Sequence, residues 1–234
     1  MHSKVIPLQD GGSLRIRGSV DRVDVLEQDG QQFVRVVDYK SGAKAFRLAD
    51  IVNGLNLQMF LYLFNVCADG SNPYAGVPAG VLYMHAARSV LTVETKSSAE
   101  RDIAGQEDKA FGMNGIVITN PDCDIPAAME HDLAGKYIPV RLKKSGVGGS
   151  LASLEQLGLL QRKIEALVAD MGNALQNGQI GQHPVQAKDH DKTCEYCDFV
   201  SVCAFKKSVT PRTYDDQTDS AVLAELEKEG ESHA

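Results

Sequence analysis

No apolar run in the 234 residues is long enough to cross a bilayer, and no secretory leader is evident. A membrane role is therefore not expected. Basic residues are also in deficit: 24 Lys and Arg stand against 31 Asp and Glu, for a formal net charge of -7. That balance argues weakly against a nucleic-acid partner, and its distribution matters more than its sum. No Walker-type phosphate loop appears, so any ATPase must lie elsewhere. None of the serines or cysteines has the context of an activated nucleophile, so no covalent intermediate is expected. There is no internal repeat. Cysteine is scarce and odd in number, five in all, which speaks against a disulfide framework and for a reducing, cytoplasmic setting. The composition, 43% hydrophobic and 24% charged, is that of one soluble globular domain with a substantial core.

Charge is distributed unevenly. Residues 207–234 carry three basic and seven acidic side chains, a net of -4, and read as an acidic, disordered tail. The first fifty residues are nearly balanced, with Arg15, Arg17, Arg22, Arg35, Lys40, Lys44 and Arg47 gathered around the most informative stretch of the chain. That stretch is Gly18-Ser19-Val20-Asp21-Arg22-Val23-Asp24, followed by Val36-Val37-Asp38-Tyr39-Lys40-Ser41-Gly42. Leu14 to Leu26 alternates as a strand, Gln32 to Lys40 reads as a second, and Asp29-Gly30 is a two-residue hairpin signal. If Asp29 pairs with Gly30, paired residue numbers sum to 59, as those of Asp21 and Asp38 do. These two carboxylates are then directly opposed, with Cβ atoms about 5 Å apart on one face. Their repulsion is relieved by a cation, and carboxylate oxygens suit Mg²⁺ or Mn²⁺ better than zinc. Lys40 projects from the same face, two residues beyond Asp38. Asp24 has the opposite parity, which removes it from direct ligation. A surface hairpin with a Lys40 salt bridge is the plain alternative, but Asp38 ends an apolar strand, where an uncompensated charge is costly.

Gly18-x-x-Asp21 with Asp38-x-Lys40 resembles the core of the PD-(D/E)xK nuclease superfamily in its RecB-like branch. A helix expected over Leu48 to Cys67 carries Gln58 and Tyr62, four apart on one helical face, in the Gln-x-x-x-Tyr pattern of that branch. Leu55, Met59, Leu63 and Val66 supply an apolar stripe on the same helix, so a plain boundary between core and solvent is the competing reading. The resemblance implies that Asp21, Asp38 and the Tyr39 carbonyl hold Mg²⁺ or Mn²⁺, that Lys40 serves the attacking water, and that Gln58 and Tyr62 look back on this centre.

Cys194, Cys197 and Cys203 fall within ten residues. Clustered thiols in a reducing compartment suggest a zinc site, for which His190 would complete a Cys₃His set, or an iron-sulfur cluster needing a further ligand from elsewhere. Cys67 and Cys123 read as isolated thiols. A RecB-like core ending in Cys-x2-Cys-x5-Cys narrows the resemblance to the nuclease domains of AddB-type subunits of bacterial helicase-nucleases, over about Leu14 to Phe205. That resemblance implies a [4Fe-4S] cluster on Cys194, Cys197 and Cys203, DNA as substrate and an AddA-like helicase subunit as partner. The family's upstream cysteine and upstream helix have no counterpart before Leu14, so the chain reads as a shortened nuclease domain.

The remaining text is structural. A strand is expected at Pro78–Tyr83, a charged helix at Ala99–Phe111, a strand at Gly115–Thr119, a short helix at Asp124–Asp132, a strand at Tyr137–Leu142 and a loop at Lys143–Gly149. Ser153-x-x-Gln156 is a capping box opening a long helix over Leu151–Asn177, which stops at Asn177-Gly178. His85, His131 and His183 are isolated and receive structural or surface roles. The expected architecture is α/β and restriction-endonuclease-like: residues 1–13 as a lead-in, 14–206 as the nuclease domain with its cysteine loop at 194–203, and 207–234 as the tail. Three functions compete: a metal-dependent DNA exonuclease domain, a catalytically silent DNA-binding scaffold of the same family, and a zinc-binding structural protein.

Overall fold

The computed structural model describes residues 4–42, 44–86, 111–188, 194, 197–203 and 211–232. The expected charged helix at Ala99–Phe111, apart from Phe111 itself, and His190 lie outside them. The chain divides into two compact units, one of residues 1–4, 16–46 and 58–161, the other of 5–15, 47–57 and 162–234.

The first unit is built on a five-stranded sheet. Its strands are β3 (Arg22–Gln28), β4 (Gln31–Lys40), β5 (Val77–His85), β6 (Met113–Thr119) and β9 (Leu151–Ser153), which lie side by side in that order. Pairing alternates: β3 with β4 and β5 with β6 are antiparallel, β4 with β5 and β6 with β9 parallel. This is the mixed α/β sheet expected. β4 is a buried inner strand, and the sequence Phe-Val-Arg-Val-Val accordingly puts apolar side chains on both faces. Phe33 and Val37 join Leu82, Val117, Ile125 and Ile138 in the core on one face. Val34 and Val36 point the other way, toward helix α2 (Gln58–Ala68), whose Met59, Phe60 and Leu63 are fully buried. Close strand approach fixes one glycine: a Cβ on Gly115, at φ 152°, would stand 2.0 Å from the Val81 carbonyl oxygen.

Helix α3 (Ile125–Met129) is capped by Asp124, whose side chain accepts from the Ala127 N–H. Just beyond it, buried Glu130 accepts from the backbone N–H groups of Lys136, Tyr137 and Ile138 at 2.9, 3.0 and 3.1 Å. Burial pushes this carboxyl up, but the amide donors outweigh it and hold it below its ordinary 4.5. The unfolded chain therefore takes up a proton on acidification that the folded chain refuses, and stability falls as pH drops through 4.5 toward the folded value. We expect Glu130→Gln to flatten that acid limb, measured by urea unfolding across the acid range; an unchanged limb would dismiss Glu130 as its source.

The hairpin of β7 (Val140–Lys143) and β8 (Gly146–Gly149) occupies what read as a strand followed by a loop. Glycine at three of four β8 positions hid that strand. Ser153 and Gln156 form the reciprocal capping box, with N–H donations of 2.8 and 3.1 Å. It opens helix α4 (Leu154–Gln176), three residues later than expected because Leu151–Ser153 pairs with β6 instead. The helix ends at Gly178, in the left-handed region at φ 69°. Leu157, Leu160, Ile164 and Val168 are buried, whereas Met171 and Leu175 are exposed.

The second unit holds the ribbon segment between β1 (Lys4–Pro7) and β2 (Ser13–Ile16), helix α1 (Leu48–Val52), strands β10 (Val185–Ala187) and β11 (Arg212–Tyr214), and helices α5 (Val200–Cys203) and α6 (Asp219–Ser232). The acidic tail is thus ordered where described. β11 pairs in parallel with β10, and α6 buries Val222, Leu223 and Leu226. The Tyr214 hydroxyl donates to buried Asp50 at 2.6 Å, and burial together with that carboxylate raises its pKa above the ordinary tyrosine range. No helix among the described residues is long and apolar enough to cross a membrane.

Candidate active site

The left-handed pair Asp29 (φ 52°) and Gly30 (φ 78°) makes the turn that sets the hairpin register. Arg22 pairs with Val37, Val23 with Val36, and so on to Gln28 with Gln31, the register read from the sequence. The first strand, however, is divided. Leu14–Leu26 does not run through: β2 ends at Ile16 and β3 starts at Arg22, so Asp21 sits one residue outside the ladder, exposed. From there its Oδ2 accepts from the Tyr39 N–H at 3.1 Å. Asp21 and Asp38 are thereby held at the same end of the hairpin, by a side chain to backbone bond where a directly opposed pair was expected.

Asp38 is 6% exposed. Lys40 Nζ stands 2.6 Å from its Oδ2, an ion pair, and no further partner of that buried oxygen occurs among the described residues. A carboxylate this buried is costly without a positive group, and Lys40 supplies one. Lys40 Nζ also lies 5.6 Å from the centre of the Tyr83 ring, and Tyr83 is the neighbour of Asp38 across the parallel ladder. The same ladder sets His85 beside Lys40, a placement the sequence could have yielded only once the β4–β5 register was known.

The expected helix over Leu48–Cys67 is two helices, α1 and α2, parted at Gly54 (φ 89°) and Asn56 (φ 55°). Gln58 therefore opens α2 rather than riding mid-helix. Its Nε2 donates to the Tyr62 hydroxyl at 2.9 Å, so the two residues form one unit. Tyr62 in turn abuts Gly18: a Cβ there would fall 2.5 Å from both Cε1 and the hydroxyl oxygen of Tyr62. The glycine of Gly18-x-x-Asp21 is thus a spacing requirement, linking α2 to the segment that delivers Asp21. Burial on the same helix pushes the Cys67 thiol up to about 12, which leaves it unreactive.

On the opposite face Asp24 pairs with both Arg22 and Arg35 at 2.7 Å. Partial burial opposes its charge, but the two guanidinium hydrogen bonds win and lower its pKa. Parity thus separates Asp24, held by two guanidinium groups, from Asp38, which meets Lys40.

Two sets of metal ligands can be weighed against this geometry. Asp21, Asp38 and the Tyr39 carbonyl are all hard oxygen donors at one hairpin end, a donor set that suits a small divalent cation. Cys194, Cys197 and Cys203 are free thiols, and no three His, Cys, Asp or Glu side chains gather around a metal position among the described residues.

Residues 2–204 match the PD-(D/E)XK nuclease superfamily, and the chain belongs to it. It is 32% identical over 235 residues to the B-type subunit of the ATP-dependent helicase/deoxyribonuclease of Bacillus cereus, an alignment covering 95% of this chain and 20% of that protein. Similar relatives of the same name occur in Oceanobacillus iheyensis, at 32% identity with 97% and 20% coverage, and in Acetivibrio thermocellus, at 30% with 96% and 20%. The chain spans about a fifth of the length of these relatives. They are of the AddB type that the hairpin and cysteine motifs resemble.

Proposed function

We propose that the chain is the metal-dependent DNA exonuclease domain of an AddB-like subunit, acting with an AddA-like helicase subunit in double-strand break repair and recombination. The observation that carries this reading is the buried Asp38 carboxylate, ion-paired with Lys40 at 2.6 Å at the hairpin end where Asp21 accepts from the Tyr39 N–H. Asp21, Asp38 and the Tyr39 carbonyl would hold Mg²⁺ or Mn²⁺, and the chemistry such an ion supplies is polarisation of the scissile phosphate and acidification of a water. Lys40, kept beside Asp38 by the ion pair and over Tyr83, orients the attacking water and stabilises charge gathering on the phosphoryl oxygens. Gln58 fixes the Tyr62 hydroxyl, and Tyr62 fixes the backbone at Gly18, three residues before Asp21. All five free cysteines support a reducing, cytoplasmic setting.

The test is incubation of the purified chain with end-labelled linear DNA and Mg²⁺ or Mn²⁺. We expect release of label that requires the metal and disappears in Asp38→Ala. A folded chain that binds DNA without metal and never cuts it would replace this reading with a silent DNA-binding scaffold.

A further inference from the structure

The last residue of β5 is a histidine, and the ladder delivers it to the candidate site. In the parallel pairing of β4 with β5, Tyr83 lies beside Asp38 and His85 beside Lys40. The Ala86 N–H donates to the Lys40 carbonyl at 2.9 Å, which carries the pairing one residue past the strand. Side chains alternate between faces along each strand and directly paired residues share one, so His85 stands on the face of Asp38 and Lys40. The Lys40 ammonium leans toward the same strand, 5.6 Å from the centre of the Tyr83 ring.

The polar groups around His85 are committed elsewhere. Asp21 accepts from the Tyr39 N–H, Asp38 meets Lys40, and Gln58 donates to Tyr62. Asn114, the antiparallel neighbour of Tyr83, donates through Nδ2 to the Lys44 carbonyl at 3.3 Å. His85 differs: it is half-buried and has no hydrogen bond, ion pair or ring contact among the described residues. An imidazole keeps a ring N–H in either protonation state, so His85 presents a donor that the fold does not use.

Spacing decides what that donor meets. Neighbouring strands lie about 4.8 Å apart, so His85 stands roughly one strand spacing to the side of Lys40 and two from the line of β3, which Asp21 precedes. A phosphate held at Asp21, Asp38 and Lys40 therefore leaves His85 to address the next position along the same nucleic-acid strand. Phosphate oxygens are the acceptors that such a strand offers a protein most often.

We infer that His85 is a substrate-binding residue whose ring N–H donates to a non-bridging oxygen of the phosphate adjoining the scissile one, on the β5 side of Lys40. This inference rests on the nuclease reading above and adds to it a contact that steers the strand rather than the reaction.

Binding is measured first, with Ca²⁺ replacing Mg²⁺ to suppress cleavage and a fluorescein-labelled DNA oligonucleotide titrated into wild type, His85→Ala and His85→Gln. His85→Ala should weaken binding roughly five- to fifty-fold, and His85→Gln, which keeps an N–H donor, should recover most of the loss. In the end-label assay His85→Ala should raise KM by a similar factor and lower kcat less than about three-fold. Oligonucleotides carrying a single methylphosphonate, which lacks one phosphate oxygen and its charge, then locate the contact. In wild type the bond flanking the methylphosphonate on one side should be cut more slowly than the same bond in unmodified DNA, and in His85→Ala that difference should largely vanish. A loss of folded protein slows every bond alike, so this ratio isolates the contact. If His85→Ala binds and cuts like wild type, if its loss falls on kcat alone, or if the methylphosphonate slows the flanking bond as much as before, the His85 contact is wrong and the nuclease reading stands. If wild type neither binds nor cuts DNA, the nuclease reading falls and takes this inference with it.

Discussion

Lys40→Ala is expected to reduce metal-dependent DNA cleavage at least a hundred-fold and, in the absence of divalent metal, to destabilise the fold by roughly 1–3 kcal/mol. The two effects have different origins. Activity is lost because the ammonium 2.6 Å from Asp38 is the one placed to act on the water and the developing phosphoryl charge. Stability is lost because Asp38, its side chain 9% exposed, is left with a buried carboxylate and no counterion. The Lys40 side chain is itself 32% exposed, which tempers the magnitude. Pairing Asp38→Asn with Lys40→Met should therefore restore most of the stability while leaving cleavage dead. Urea unfolding in EDTA, set beside the end-label assay, reads both. A Lys40→Ala protein that cuts DNA at the wild-type rate would remove Lys40 from the chemistry; one as stable as wild type would mean that water already compensates Asp38.

Gly18→Ala should cost roughly 1–3 kcal/mol and lower cleavage ten-fold or more, although residue 18 makes no chemical contribution of its own. The new methyl group would occupy space 2.5 Å from the Tyr62 ring and hydroxyl. Tyr62 is 9% exposed and bonded to Gln58, so it yields poorly, and the segment carrying Asp21 shifts instead. Replacing Tyr62 with leucine in the same chain makes room. The double variant should then lose less stability than the two single ones added together, a coupling that a thermodynamic cycle measures directly. Strict additivity would show that residue 18 and Tyr62 do not meet.

The hairpin register was readable because one short-range signal decides it. Asp29-Gly30 satisfies the two positive φ angles of a tight turn, and side-chain parity then sorts Asp21, Asp38 and Lys40 from Asp24. The breaks were unreadable for the opposite reason: the local pattern runs straight through them. Leu48, Ile51, Leu55 and Met59 keep helical spacing across Asn53-Gly54, so only the left-handed backbone at Gly54 and Asn56 reveals that the helix stops. Alternation likewise continues from Leu14 past the gap between β2 and β3. In the tail, seven acids drown the signal of Val222, Leu223 and Leu226, which are buried all the same. The Tyr62–Gly18 contact and the Lys40–Tyr83 stack join segments far apart in sequence, and no periodicity encodes them.

The turn at Asp29-Gly30 has a bearing on how the site comes into being. Asp21 and Asp38 are only 17 positions apart along the chain and are brought to one end by a ladder whose closure is local, an event of microseconds. Their mutual repulsion is then present from the outset, while Tyr83 and Tyr62 arrive only when β5 and α2 dock. A lone hairpin is at best marginally stable, so the acid pair is drafted early and made permanent late. Divalent ions present during refolding should for that reason speed the docking step as well as stabilise its product.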